Sequence, residues 1–449
     1  MRYYSTRNKK QAVSFSDAAL AGLAPDGGLF VPEAIPRYRE AVSTSLPRMA
    51  FHDIAFETIR PFVHPEIPDT VLGDLVHEAF PFAAPLIAVG NRLMLELFHG
   101  PTAAFKDFGA RFMARAFSYL RRGEDKPLHI LVATSGDTGG AVADGFYGVS
   151  GIFVTVLYPK GRVSPLQERQ IAGLGGNISA IAVEGSFDDC QRLVKAAFGN
   201  ADLNKRFTLS SANSINVARL IPQTVYYATA AAKIASGAID ADEVATPRTR
   251  PEVAQHAAPA PGKGLILCVP SGNFGNLTAG LYAMQMGTPI RGFIAATNIN
   301  KTVPDYLESG YYEARPSLAT ISNAMDVGTP SNFERIVAHW SLEELRHLTR
   351  GAFVTDAETR ETIRAVHAQC GYTLDPHGAV GWSAVDKLFP QEQPSPLAVL
   401  ATAHPAKFAE TVEPLVGPVA VPPSLITVME RTVVAKNISA ELTALMEVL

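Results

Sequence analysis

Leu128-His129-Ile130-Leu131-Val132-Ala133-Thr134-Ser135-Gly136-Asp137-Thr138-Gly139-Gly140 is an apolar run that ends abruptly in a turn of small, polar and glycine residues. It reads as a buried strand, a tight turn and the start of a helix. The pattern recurs where Leu265-Ile266-Leu267-Cys268-Val269 gives way to Pro270-Ser271-Gly272-Asn273-Phe274-Gly275-Asn276. Further strand candidates lie near residues 151–158, 178–183, 291–297 and 397–403, with helical stretches between them. Such alternation predicts an α/β fold with parallel sheets and ligands at the carboxyl ends of the strands.

Each turn would aim several backbone N–H groups and the positive end of a helix dipole at one spot, a ready site for phosphate or carboxylate. The plainer reading is a pair of strand-to-helix turns that need glycine for tight geometry. A third stretch weighs against it: His99-Gly100-Pro101-Thr102-Ala103-Ala104-Phe105-Lys106-Asp107-Phe108-Gly109. Here a lysine sits between two phenylalanines at the start of a predicted amphipathic helix, with Phe108, Phe112, Met113, Ala116, Phe117 and Leu120 at helical spacing. Apolar surroundings lower a lysine's pKa, which is what a Schiff-base lysine needs. One such lysine and two anion cradles together suggest a phosphorylated aldehyde cofactor with an anionic substrate. Asp107 reads equally well as a capping or solvated carboxylate and as a catalytic one.

Composition narrows the class. The chain has 449 residues, 47% of them apolar, and a net charge of −4. That length predicts two or three domains. Basic residues form no run, so neither nucleic acid nor an anionic membrane is an expected partner. Cys190, Cys268 and Cys370 are odd in number and far apart, which argues against disulfides and a thiolate metal site. No metal is expected. The first ten residues lack the apolar core of a secretory signal, and no segment is apolar for long enough to span a bilayer, so a cytoplasmic location is expected. A P-loop and a clean Gly-x-Gly-x-x-Gly turn are both missing, which disfavours a nucleotide-binding protein.

Several segments together give the chain its resemblance. They include Asp26-Gly27-Gly28-Leu29-Phe30-Val31-Pro32, the Lys106 stretch, both glycine turns and Asn213-Ser214-Ile215-Asn216-Val217-Ala218-Arg219. Asp375-Pro376-His377-Gly378 and Ala401-Thr402-Ala403-His404-Pro405-Ala406-Lys407-Phe408 follow in order. The chain resembles the longer form of the threonine synthase family. That resemblance implies a fold type II pyridoxal-phosphate (PLP) architecture, tryptophan synthase β-like, with two α/β domains and the cofactor in the cleft between them. It also implies a carbon–oxygen lyase acting on phosphates, which turns O-phospho-L-homoserine and water into L-threonine, the last step of threonine biosynthesis. The alternatives are a related phospho-lyase or a serine/threonine dehydratase. A small-molecule substrate is the expected partner, with the chain a monomer or homodimer.

The resemblance also assigns roles. Lys106 would be the Schiff-base and proton-moving lysine. Gly272, Asn273, Phe274, Gly275 and Asn276 would cradle the cofactor phosphate, and Thr402 would meet the pyridine nitrogen. Ser135 and Thr138 would hold the substrate carboxylate, with Asp137 capping the following helix. Asn213, Ser214 and Arg219 would bind the substrate phosphate. Without the resemblance, Thr402 reads as a strand-end threonine, and Ser214 as a helix N-cap ahead of an exposed arginine. Lys160 and Arg162 form a second cationic patch that could assist. His377 and His404 read as structural. The expected organisation is a mostly helical module over 1–95 and an α/β domain over 96–215 with the lysine and the carboxylate turn. A second α/β domain over 216–449 would carry the phosphate loop and a flexible insertion near 236–264.

Overall fold

The long apolar runs become the inner strands of two sheets, because a strand covered by helices on both faces has no polar side to show. The computed structural model describes residues 1–237, 264–394 and 396–449. The insertion expected near 236–264 lies, but for its ends, outside the described residues. The first strands in chain order are β1 (Tyr3–Ser5), β2 (Phe30–Pro32), β3 (Leu86–Val89) and β4 (Arg92–Glu96). Next come β5 (Leu128–Ala133), β6 (Ile152–Pro159), β7 (Ile178–Glu184) and β8 (Thr208–Ser211). The last are β9 (Leu265–Pro270), β10 (Ile290–Thr297), β11 (Thr349–Phe353), β12 (Leu397–Ala401) and β13 (Lys436–Ser439). β1 and β2 make a small antiparallel pair. The two large sheets run β11-β10-β9-β12-β4-β3 and β13-β7-β6-β5-β8, parallel throughout except where β3 meets β4.

Each large sheet reverses its direction of growth once. From β5 the chain steps outward to β6 and β7, while β8 lies on the other flank of β5. From β9 it steps to β10 and β11, while β12 lies on the other flank of β9. At such a reversal the connections leave to opposite faces and open a crevice beyond the carboxyl ends of the strands. One crevice therefore falls between the ends of β5 and β8, beside Thr134 and Asn213. The other falls between the ends of β9 and β12, beside Ser271 and Thr402. Both glycine turns stand where the topology makes room for a ligand.

The helix Lys106–Leu120 connects the two regions. Its apolar stripe is buried as its spacing predicts, with Phe108, Phe112, Met113, Ala116 and Phe117 fully enclosed and Leu120 at the margin. The Phe108 ring packs against Phe80, Phe82 and Tyr226.

Other elements differ from expectation. The first 95 residues do hold helices at Phe15–Ala21, Phe51–Val63 and Asp69–Ala79, but they also supply β1 to β3 and all but the last residue of β4. β3 and β4 complete the six-stranded sheet, and β13 returns to the five-stranded one, so the sheets do not divide at residues 95 and 215. β8, β11 and β13 are short edge strands such as Thr208-Leu209-Ser210-Ser211, whose polar residues leave no apolar run to find.

Candidate active site

Lys106 reaches its place through a turn laced onto the end of β12. Phe105 N–H donates to the Thr402 carbonyl at 2.9 Å, and His404 N–H to the Ala103 carbonyl at 3.0 Å. Ala103 adopts a φ of 52°, a left-handed conformation that costs an alanine about 1 kcal/mol. Asp107 locks the turn from the other side: its carboxylate accepts from Thr102 Oγ1 at 2.6 Å and from Thr102 N–H at 2.9 Å. It is therefore a buried anchor and not a solvated carboxylate.

One cleft is lined by Lys106, by both glycine turns, by Asn213, Ser214 and Arg219, and by Thr402. In the first turn, Thr134 Oγ1 accepts from the N–H groups of Gly136 and Gly139 at 2.9 and 2.8 Å. Gly136 has a φ of 138°, and a side chain there would collide with Gln167. The hydroxyls of Ser135 and Thr138 have no hydrogen-bond partner among the described residues. In the second turn, Phe274 takes a φ of 59° and Gly275 begins the helix Gly275–Gln285. A Cβ on Gly272 would come within 2.7 Å of the Ala324 carbonyl oxygen, so only glycine fits against that loop.

Two of the side chains expected to face ligands also bond within the protein. Asn213 ties the ends of the two strands together, its Nδ2 donating to the Ala133 carbonyl at 2.7 Å. Asn276 Oδ1 accepts from the hydroxyls of Tyr226 and Tyr227, both at 2.6 Å, which leaves its Nδ2 buried without a partner. A 2.6 Å bond from Asn273 Nδ2 to Ser214 Oγ joins the second turn to the loop after β8. The helix that carries Arg219 is capped by Asn216, not by Ser214, and Arg219 is buried, not exposed. Its Nη1 donates to the Ala212 carbonyl at 2.6 Å, while its Nε is buried with no partner. Among the described residues Arg219 has no ion-pair partner. Burial pulls its pKa down to about 10, with Asp107 opposing.

Asp137 does not cap its helix. Gly136 stands at the N-cap, and the Asp137 carboxylate turns inward instead. Its Oδ1 accepts from Lys407 Nζ at 2.8 Å and Gln167 Nε2 at 3.0 Å, and its Oδ2 lies 3.4 Å from Lys106 Nζ. Burial alone would favour the neutral acid, but Lys407, Lys106 and His377 outweigh it and hold Asp137 well below the usual carboxylate range. Burial lowers the Lys106 pKa, Asp137 opposes, and Lys407 and Arg219 lower it further. That is the direction a nucleophilic amine needs. Lys407 was not singled out by the sequence, although a lysine inside the apolar run after a buried strand was a usable signal.

His377 backs the second turn: its Nδ1 meets Asp375 at 2.6 Å, and its Nε2 accepts from Ala324 N–H at 3.3 Å. His404 accepts from Ala406 N–H, and burial lowers its pKa to about 4. Lys160 is half-exposed, pairs with Glu184 and stands apart from the cleft. Among the described residues no group of three or more His, Cys, Asp or Glu side chains is placed to hold a metal ion, and no helix is long and apolar enough to cross a membrane.

The fit to a phosphorylated aldehyde is chemical. The cleft joins a buried amine of lowered pKa, a helix N-terminus, and two orphaned buried donors, Arg219 Nε and Asn276 Nδ2. Burying unpaired donors and a cation is costly, and an anion would relieve it.

Asp107 gives a pH prediction. Burial raises its pKa to about 7, although the Thr102 bonds pull the other way. Between the ordinary carboxylate pKa and about 7 the unfolded chain has lost this proton and the folded chain keeps it, so stability falls as pH rises through that window. Asp107→Asn should remove a slope of about 1.4 kcal/mol per pH unit, measured as urea unfolding midpoints between pH 5 and 7.

Three family models match the chain: threonine synthase N terminus over residues 2–80, pyridoxal-phosphate dependent enzyme over 87–403, and threonine synthase, C-terminal, over 378–449. The chain is 41% identical to the threonine synthase of Escherichia coli strain K12, over 99% of this chain and 98% of that one. The crystal structure of Escherichia coli threonine synthase superposes with a TM-score of 0.87 over 100% of this chain and 99% of that one, at 40% identity. The PLP-bound threonine synthase from Brucella melitensis also gives 0.87, at 36% identity, over 100% and 98%.

Proposed function

The chain belongs to the threonine synthase family of PLP-dependent enzymes, and from that premise we propose that its cleft converts O-phospho-L-homoserine and water into L-threonine and phosphate. One observation carries the assignment of substrate: a buried arginine that has, among the described residues, a free Nε and no carboxylate partner lies in the same cleft as the lysine of lowered pKa.

Lys106 would hold the cofactor aldehyde, the turn from Ser271 to Asn276 its phosphate, and Thr402 its ring nitrogen. When bound, PLP supplies an electron sink for negative charge left on substrate carbon. A threonine hydroxyl, unlike a carboxylate, does not hold the ring nitrogen protonated, which keeps that sink mild. Ser135, Thr138 and the amides of their turn orient the substrate carboxylate. Lys106 Nζ, once free, takes the proton from Cα and returns protons later in the cycle. Arg219 and Ser214 hold the γ-phosphate and stabilise its charge as the carbon–oxygen bond breaks. Water adds at Cβ only after phosphate has gone, so the buried walls of the cleft protect the earlier steps.

Product analysis of the holoenzyme with O-phospho-L-homoserine tests the reading. Threonine and phosphate should appear in equal amounts. Phosphate with 2-oxobutyrate would make the protein a phospho-lyase instead.

A further inference from the structure

Asp137 is an odd residue for its position. It stands in the first turn of a helix whose free amides, with Ser135 and Thr138, face the cleft, and an ionised carboxylate there repels any anion unless it is neutralised. Two ammonium groups flank it, and they are not equivalent. Lys106 lies 3.4 Å from Oδ2 and is partly open to the cleft. Lys407 lies 2.8 Å from Oδ1, its side chain is fully buried, and its Nζ also donates to the Thr102 carbonyl at 2.8 Å. Gln167 adds a second fixed donor to the same Oδ1. Lys407 therefore cannot leave Asp137, whereas Lys106 can.

We infer that Lys407 is a positioning residue: it is the permanent counter-ion of Asp137, and by holding that charge it leaves Lys106 free to act as a neutral nucleophile. The inference deepens the proposed function and rests on it for the task of Lys106. If Lys407 were absent, Lys106 would be the only ammonium group left, among the described residues, to pair with Asp137, beside the smaller help of His377. That amine would then be held more firmly in its protonated form and be drawn toward Asp137, away from its work. While Lys106 is engaged by the cofactor, Lys407 is the one ammonium group of the two that still keeps the carboxylate turn from presenting an uncompensated negative charge to an anionic substrate, with the smaller help of His377.

The test reads the Lys106 amine directly in the apoprotein, with no turnover involved. Trace acetic anhydride at neutral pH acetylates neutral amines: nitrogen bonds to the acyl carbon, acetate leaves, and the surplus proton passes to water. Mass spectrometry of the Lys106 peptide gives the rate. Lys407→Met should slow labelling about tenfold, as expected for a pKa raised by roughly one unit. Lys407→Met with Asp137→Asn should restore it, which mere loss of packing would not do. Asp137→Asn alone should label no more slowly than the parent protein, because it removes the charge that opposes the fall in the Lys106 pKa and leaves Lys407 in place. The double variant strands no buried charge and keeps the inference testable even if Lys407→Met alone does not fold. The inference is overturned if Lys407→Met labels at the parent rate, if the double variant stays slow, or if Asp137→Asn alone labels about tenfold more slowly. Failure of the functional reading shows elsewhere, in the products of the unaltered holoenzyme.

Discussion

Lys106→Ala abolishes formation of threonine and phosphate and the visible absorbance of the loaded protein, with a fall in turnover of about 10⁴-fold or more. Two features make the loss that large. The residue would supply both the covalent anchor for the cofactor and the mobile base, so one substitution removes two roles that act as a unit. The other buried lysine nearby cannot replace it, because Lys407 is enclosed and fixed between Asp137 and the Thr102 carbonyl. The same contact predicts that the variant keeps its fold. Asp137 retains Lys407 and Gln167 when Lys106 is gone, so no buried charge is stranded. Thermal melting of the two apoproteins should agree within a few degrees while activity is lost, a separation that rules out unfolding as the cause.

Arg219→Met has the opposite pairing of effects. A forked cation at the leaving group is worth about 3–4 kcal/mol in the transition state, so kcat/KM should fall by roughly 10²–10³-fold. Stability should hold or rise, because an enclosed guanidinium that has, among the described residues, an unpartnered Nε and no paired carboxylate is replaced by an apolar chain of similar length. Arg219→Lys keeps the charge but loses the fork and should recover only part of the rate. If Arg219→Met melted well below the parent protein, the arginine would be a structural strut and not an anion ligand. Steady-state kinetics and a melting curve on the same preparation separate the two.

What could be read from the chain follows from where chemistry leaves a local mark. β5, β6, β7, β9, β10 and β12 announce themselves because strands covered on both faces must be apolar throughout. β8, β11 and β13 stand at sheet edges, where Thr208-Leu209-Ser210-Ser211 or Lys436-Asn437-Ile438-Ser439 serve as well as an apolar run. The residues brought together in the cleft were conspicuous for a similar reason: a lysine between phenylalanines and glycines in strand-to-helix turns are unusual in their own neighbourhoods. Arg219 was harder, since its burial depends on packing against Gly109 from a distant helix. The Asp137–Lys407 pair was legible only as a puzzle. An aspartate in an anion-binding turn signals that a cation must be near, but nothing local says which of the chain's cations it is.

The way the two sheets share the chain governs the order in which the protein can assemble during synthesis. β4 lies between β3 and β12, and β7 between β6 and β13. The N-terminal hairpin of the larger sheet thus waits with an open edge until residues 397–401 emerge, and the smaller sheet until residues 436–439 do. The cleft lacks Thr402 until most of the chain has left the ribosome, although the crevice between β5 and β8 can form earlier. Contacts between segments so distant in sequence make for slow folding. During that interval two unpaired strand edges stand exposed to neighbouring chains, so the growing polypeptide has most need of chaperone protection just before its last strands arrive.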